Sequence, residues 1–166
     1  MKNFIIENAR AFARVMGAAV LMFGAVLVSN VSVTDAANAG TLTTAKRFLG
    51  MHEVKHNKAL RRTVGVNPRR TPWCGAFVAA IVKMNGKAAP KGHARAASWK
   101  RWGKGVPLKK ARKGDVVVIR TKRGHHVGFF AGFKDGRVTL LGGNQSNRVK
   151  YSNYRIRSVQ AVRRAI

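Results

Sequence analysis

Acidic residues are scarce in this chain. Only 5 Asp and Glu stand against 33 Lys and Arg, a formal net charge of +28. A surface balanced by ion pairs is therefore excluded. Such a field favours anionic partners: nucleic acid, anionic lipid or acidic cell-envelope polymers. The bland alternative is a solvated basic surface with no specific partner. Cysteine is scarcer still. One residue, Cys74, excludes an internal disulfide and leaves a buried small hydrophobe, an intermolecular link or a reactive thiol. The longest apolar run, Val15 to Val28, falls short of the ~20 residues that a membrane helix needs. Internal repeats and low-complexity tracts are also lacking.

What is present suffices for one compact domain. Hydrophobic residues make up 46% of 166, enough to build a core and to exclude wholesale disorder. The N-terminal segment has the pattern of an export signal. Lys2, Arg10 and Arg14 precede the apolar run, and Ala37-Asn38-Ala39 offers a small-x-small cleavage site before Gly40. The expected organisation is a signal peptide over residues 1–39 and a working domain over 40–166. Stretched through Val33, the run could just cross a membrane, so an uncleaved anchor is the alternative. The chain is then secreted, periplasmic or held in the cell envelope. Residues 1–39 carry three basic and two acidic residues, which leaves 30 basic and 3 acidic ones in the domain.

Helices are expected first and strands afterwards. "TLTTAKRFLGM" reads as a short helix with a Thr N-cap, an apolar face of Ala45, Phe48 and Leu49, and Gly50 near its end. A loop rich in Asn, Arg and Pro follows. "CGAFVAAIVKMNG" repeats apolar residues at Phe77, Ala80, Ile81 and Met84, the spacing of a buried helix face. A short helix fits "ARAASWKRWG". After Gly114 the period changes. "DVVVIRT", "HHVGFFAGF" and "RVTLLGG" are β-rich runs parted by "KRG" and "KDG" turns, and "RIRSVQAVRRA" supplies a last strand. The expected fold class is α+β, with N-terminal helices packed on an antiparallel sheet.

Two stretches carry candidate chemistry. "MHEVKH" contains H-E-x-x-H, in which His52 and His56 could share a helix face around zinc with Glu53 as base. Gly50 and the polar loop that follows argue that the helix ends there. A third ligand would have to come from His93, His125 or His126, none in a recognisable spacing. No metal and no cofactor are expected. The second stretch, "TPWCGAF", places Cys74 at the N-terminus of a hydrophobic helix. Unpaired N–H groups and the helix dipole there stabilise a thiolate and an oxyanion, so a lowered thiol pKa is expected. The general base would be His126. Strand alternation sends His126, Gly128 and Phe130 to one face, and His125, Val127 and Phe129 to the other. Asn144 ends the neighbouring strand and could fix the imidazole tautomer, or simply serve as a turn residue.

Thr71-Pro72-Trp73-Cys74-Gly75-Ala76-Phe77, Ser98-Trp99-Lys100-Arg101-Trp102-Gly103, Gly114-Asp115-Val116, His126-Val127-Gly128-Phe129 and Leu141-Gly142-Gly143-Asn144-Gln145-Ser146 occur in that order. Together they make the chain resemble the NlpC/P60 and CHAP cysteine peptidases. It is most similar to the small CHAP-like family with TPWC-AF, GHVGF and LGGNQS motifs. The resemblance implies a papain-like fold and hydrolysis of an amide bond in peptidoglycan, by endopeptidase or N-acetylmuramoyl-L-alanine amidase action. It implies Cys74 as nucleophile, His126 as general base and Asn144 as orienting residue. Trp73, Trp99, Trp102, Glu53 and Asn57 become candidates for substrate binding, although for Trp99 and Trp102 packing is the favoured reading. Arg69-Arg70 stands where the family often has acidic residues, and His125 is an extra imidazole. The implied partners are peptidoglycan and anionic envelope polymers. The rival reading is a non-catalytic basic protein of the same scaffold that binds nucleic acid or wall polymer by charge.

Overall fold

Residues 33–166 are described by the computed structural model, with side chains from Gly40 onward. The expected signal segment up to residue 32 lies outside the described residues. Among the described residues no helix is long and apolar enough to cross a membrane.

The first helix, α1 (Val33–Lys46), starts earlier than the sequence predicts. It runs through Ala37-Asn38-Ala39 without a break, so no Thr caps it. Thr44 instead donates its hydroxyl back to the carbonyl of Gly40 at 3.0 Å. Turns carry the chain from the helix to Gly50, whose φ of +84° suits a residue without Cβ. Phe48 lies in these turns and packs edge-on against Phe77. Leu49, expected on the apolar face, is exposed because the helix has already ended.

A second helix, α2 (Asn57–Val64), occupies part of what the sequence suggests is loop. Only Leu60 and Val64 are buried. Two buried positions among several cations give a weak periodic signal, and tertiary packing decides the conformation. The third helix, α3 (Cys74–Met84), has the expected bounds. It is buried on nearly every side, from Cys74 to Ala79 and at Ile81 and Val82. Met84, expected on the buried face, is exposed.

The sheet has six antiparallel strands: β1 (Lys104–Gly105), β2 (Val116–Thr121), β3 (Gly124–Lys134), β4 (Arg137–Gly142), β5 (Lys150–Arg155) and β6 (Val159–Arg164). Their order is β1-β6-β2-β3-β4-β5. The predicted meander is present from β2 to β4. Asp135 and Gly136 both take positive φ between β3 and β4, the two-residue turn that matches strand twist. β5 is unanticipated, because "KYSNYR" has the polarity of a loop. The last strand forms, but Ile156–Ser158 first makes a 3-10 turn. β6 then crosses back to pair with β2 instead of extending the meander.

One ion pair locks that return. Asp115 is buried at the start of β2. Its carboxylate accepts two hydrogen bonds from the Arg164 guanidinium, at 2.8 and 2.7 Å, and one from the Arg112 N–H. One face of the sheet (Val116, Val118, Val127, Phe129, Leu141) packs on the helices. The other (Val117, Ile119, Phe130, Leu140, Val162) carries a second apolar cluster covered by Val106, Leu108 and Ala111.

Candidate active site

The site forms where β4 leaves β3. The ladder between these strands begins at Phe129 and Leu141, so residues 124–128 of β3 extend beyond their neighbour. The N-terminus of α3 fills the space. Its Cys74 thiol lies against the backbone N–H of Val127, the residue after His126, and against those of Gly75 and Cys74 itself. Close packing fixes that helix end. A Cβ on residue 75 would stand 2.5 Å from the carbonyl oxygen of His93 and 2.4 Å from that of Ala94. Trp99 holds the same His93 carbonyl by an indole N–H bond of 2.9 Å. A Cβ on residue 143 would collide with the Trp73 ring at 2.5 Å, so the glycine after β4 lets that strand pass over the indole.

His126 faces the side of the sheet that bears Phe130, as strand alternation predicts. Its Nε2 lies 3.3 Å from Oε1 of Gln145. The same oxygen accepts the Tyr154 hydroxyl at 2.6 Å, and the His126 and Tyr154 rings sit 5.8 Å apart. The amide nitrogen of Gln145 donates to the carbonyls of Gly142, at 3.2 Å, and Lys150. The carboxamide is thus fixed with its nitrogen on carbonyls and its oxygen on the imidazole. An oxygen accepts only, so Nε2 of His126 carries the proton and Nδ1 keeps the lone pair.

Asn144 is the residue expected to orient the ring. The imidazole's partner is Gln145, one residue further on. Asn144 takes a φ of +58°, and the left-handed conformation makes it part of the turn that ends β4. Ser146 and Asn147 also have positive φ. This tight loop presents Gln145, buried, toward the ring. Tyr154 was not anticipated either, since its strand was not.

The electrostatics favour neutral groups at rest. Burial pushes the Cys74 thiol above its ordinary value and outweighs the opposing pull of the backbone N–H groups of Val127, Gly75 and Cys74. The lowered thiol pKa expected from the helix terminus is therefore reversed, because Cys74 is only 7% exposed. His126, 9% exposed, is lowered to about 4 by burial, with its bond to Gln145 acting in the other direction. Tyr154 is raised to about 12, chiefly by burial, with the nearby Cys74 charge adding to the effect.

The remaining candidates brace the site. Trp73 and Trp99, both candidates for substrate binding, are fully buried. Trp102 is partly buried, stacks edge-on with Trp99 and donates its indole N–H to Ala88 at 2.8 Å. Glu53 accepts the Trp73 indole N–H at 3.1 Å. Asn57 donates to the Glu53 carbonyl at 2.9 Å. The H-E-x-x-H stretch is not helical. Nδ1 of His56 accepts the His52 N–H, and Nδ1 of His52 accepts the Val54 N–H. Its role is to clamp the Gln145 loop: the Glu53 N–H bonds the Asn147 carbonyl, and the Val149 N–H bonds that of Met51. Among the described residues no group of three or more His, Cys, Asp or Glu is placed to hold a metal.

The architecture is shared with known domains. The P60 domain of an antigen from M. avium subspecies paratuberculosis matches with a TM-score of 0.57 at 15% identity, over 81% of this chain and 98% of that one. The fold is the papain-like fold of P60 domains. The resuscitation promoting factor interacting protein RipA matches at 0.55 and 16% identity, over 80% of this chain and 64% of RipA. A lipoprotein-like NLP/P60 protein from Staphylococcus aureus matches at 0.52 and 14%, over 80% of this chain and 42% of that one. No family model and no curated protein sequence matches.

Proposed function

We propose that the chain is an exported cysteine hydrolase that cleaves an amide bond in peptidoglycan. The observation that carries this reading is the Cys74 thiol against the backbone N–H of Val127, next in the chain to His126, whose neutral ring is held by Gln145. The quoted motifs and the P60 fold support it. Nδ1 of His126 takes the thiol proton as sulfur attacks the carbonyl carbon. The backbone N–H of Cys74 stabilises the oxyanion. The imidazolium then protonates the departing amine, leaving a thioester. Water, deprotonated by the same imidazole, releases the acid and restores the thiol. Gln145 holds the ring through both halves, in the place expected for Asn144.

Mass spectrometry of muropeptides released by the domain tests this and identifies the bond as endopeptidase or amidase. Release by the wild type and none by Cys74→Ala is the expected result. Inhibition by a thiol alkylator and indifference to chelators separate this chemistry from zinc hydrolysis.

The buried thiol and the charge favour a second reading, a non-catalytic polyanion binder on the same scaffold. Equal binding of nucleic acid by wild type and Cys74→Ala, with turnover by neither, would establish it.

A further inference from the structure

We propose that the cavity between α2 and the loop after it docks a linear phosphodiester polymer without bases, of the polyol-phosphate class. A cavity of about 430 Å³ opens there, lined by Asn57, Lys58, Arg61, Arg62, Val66 and Asn67 among others. Lys58, Arg61 and Arg62 are exposed, and none of their side chains has a hydrogen bond or ion pair among the described residues. Lys58 lies three and four residues before the arginines, so like charges face one another on a short helix. That arrangement destabilises an isolated helix. No acidic residue stands in its first turn to offset it.

An anion in the cavity would relieve this repulsion. Guanidinium forks match phosphate oxygens in pairs, which a compact ammonium does not. Arg69 and Arg70, both exposed, extend the positive run beyond Asn67 and suit a chain more than a single ion. The lining contains no aromatic ring on which a base could stack, and this separates a polyol phosphate from single-stranded nucleic acid. The cleft is also tied to the thiol. Asn57 donates to the Glu53 carbonyl, and the Glu53 carboxylate holds Trp73, the residue before Cys74.

The test uses the full chain carrying Cys74→Ala, so that binding is read without turnover and independently of the hydrolase assignment. Synthetic poly(glycerol phosphate) is titrated at several salt concentrations. The expected result is salt-dependent binding, weakened roughly tenfold and with a shallower salt slope when Lys58, Arg61 and Arg62 are changed to Ala. Changing Lys91, Lys122 and Arg123 to Ala removes equal charge elsewhere and should alter affinity less than about twofold. Thermal melts of both triple variants establish that they fold. Equal weakening by the two triples, or no binding by the parent, overturns the proposal. Tighter binding of poly-glutamate or single-stranded DNA at matched charge overturns the ligand class.

Discussion

Oε1 of Gln145 stands 3.3 Å from Nε2 of His126 and 2.6 Å from the Tyr154 hydroxyl, so one amide oxygen joins β3 to β5. Gln145→Ala removes that link and frees the ring to rotate. The expected loss in kcat/KM is about 10²-fold, within the span of general-base effects. Asn144→Gly keeps the left-handed backbone and deletes only the neighbouring side chain, so activity should stay near wild type. Muropeptide release by the two variants, compared side by side, decides which residue orients the base. A large loss from Asn144→Gly would return that role to Asn144.

The depressed pKa of His126 has two readouts. The folded value is about 4 against an ordinary 6.5, so the unfolded chain takes up this proton first as the pH falls. Stability contributed by the neutral ring is full above about pH 6.5 and is lost progressively toward pH 4, by up to about 3 kcal/mol. Denaturant melts across that range should show the slope, and His126→Gln should flatten it. The acid limb of kcat/KM should likewise fall near pH 4 instead of near 6.5.

Gly75→Ala places a methyl against the carbonyls of His93 and Ala94, both of which are backbone. The helix end must move, and Cys74 moves with it. A cost of about 1–3 kcal/mol is expected, as for overpacking elsewhere. Activity should fall further than the melting temperature would predict, since the thiol loses its register with Val127.

Arg164→Ala leaves the Asp115 carboxylate buried without its ion pair, at a cost of about 3–5 kcal/mol. Replacing both residues by apolar ones of similar volume should recover much of that stability. A double-mutant cycle by chemical denaturation checks it.

Much of the fold was legible because its elements carry strong periodic signals. α3 and strands β2 to β4 are apolar runs with turn residues at their ends. α2 and β5 were illegible for a common reason. Each is polar on most positions and is held by its neighbours, α2 through Leu60 and Val64, β5 through pairing with β4. The face of His126 was legible, because alternation along β3 fixes it. Gln145 was missed by one residue. The positive φ of Asn144 turns the chain, and strand alternation cannot be extended through a left-handed residue.

The H-E-x-x-H stretch carries its own expectation. Glu53→Ala removes the acceptor of the Trp73 indole and should destabilise by about 1–2 kcal/mol, with Glu53→Gln milder. His56→Ala should leave turnover in excess chelator unchanged, because its Nδ1 accepts the His52 N–H within the turn.

The solitary thiol is also a question of chemical endurance. The thiolate is the form that oxidants and disulfides attack. Burial keeps Cys74 protonated at rest and nearly closed to solvent. A chain with no second cysteine has no resolving partner for a damaged sulfur. The same burial that raises the thiol pKa therefore slows the oxidation of a sulfur that no second cysteine could repair.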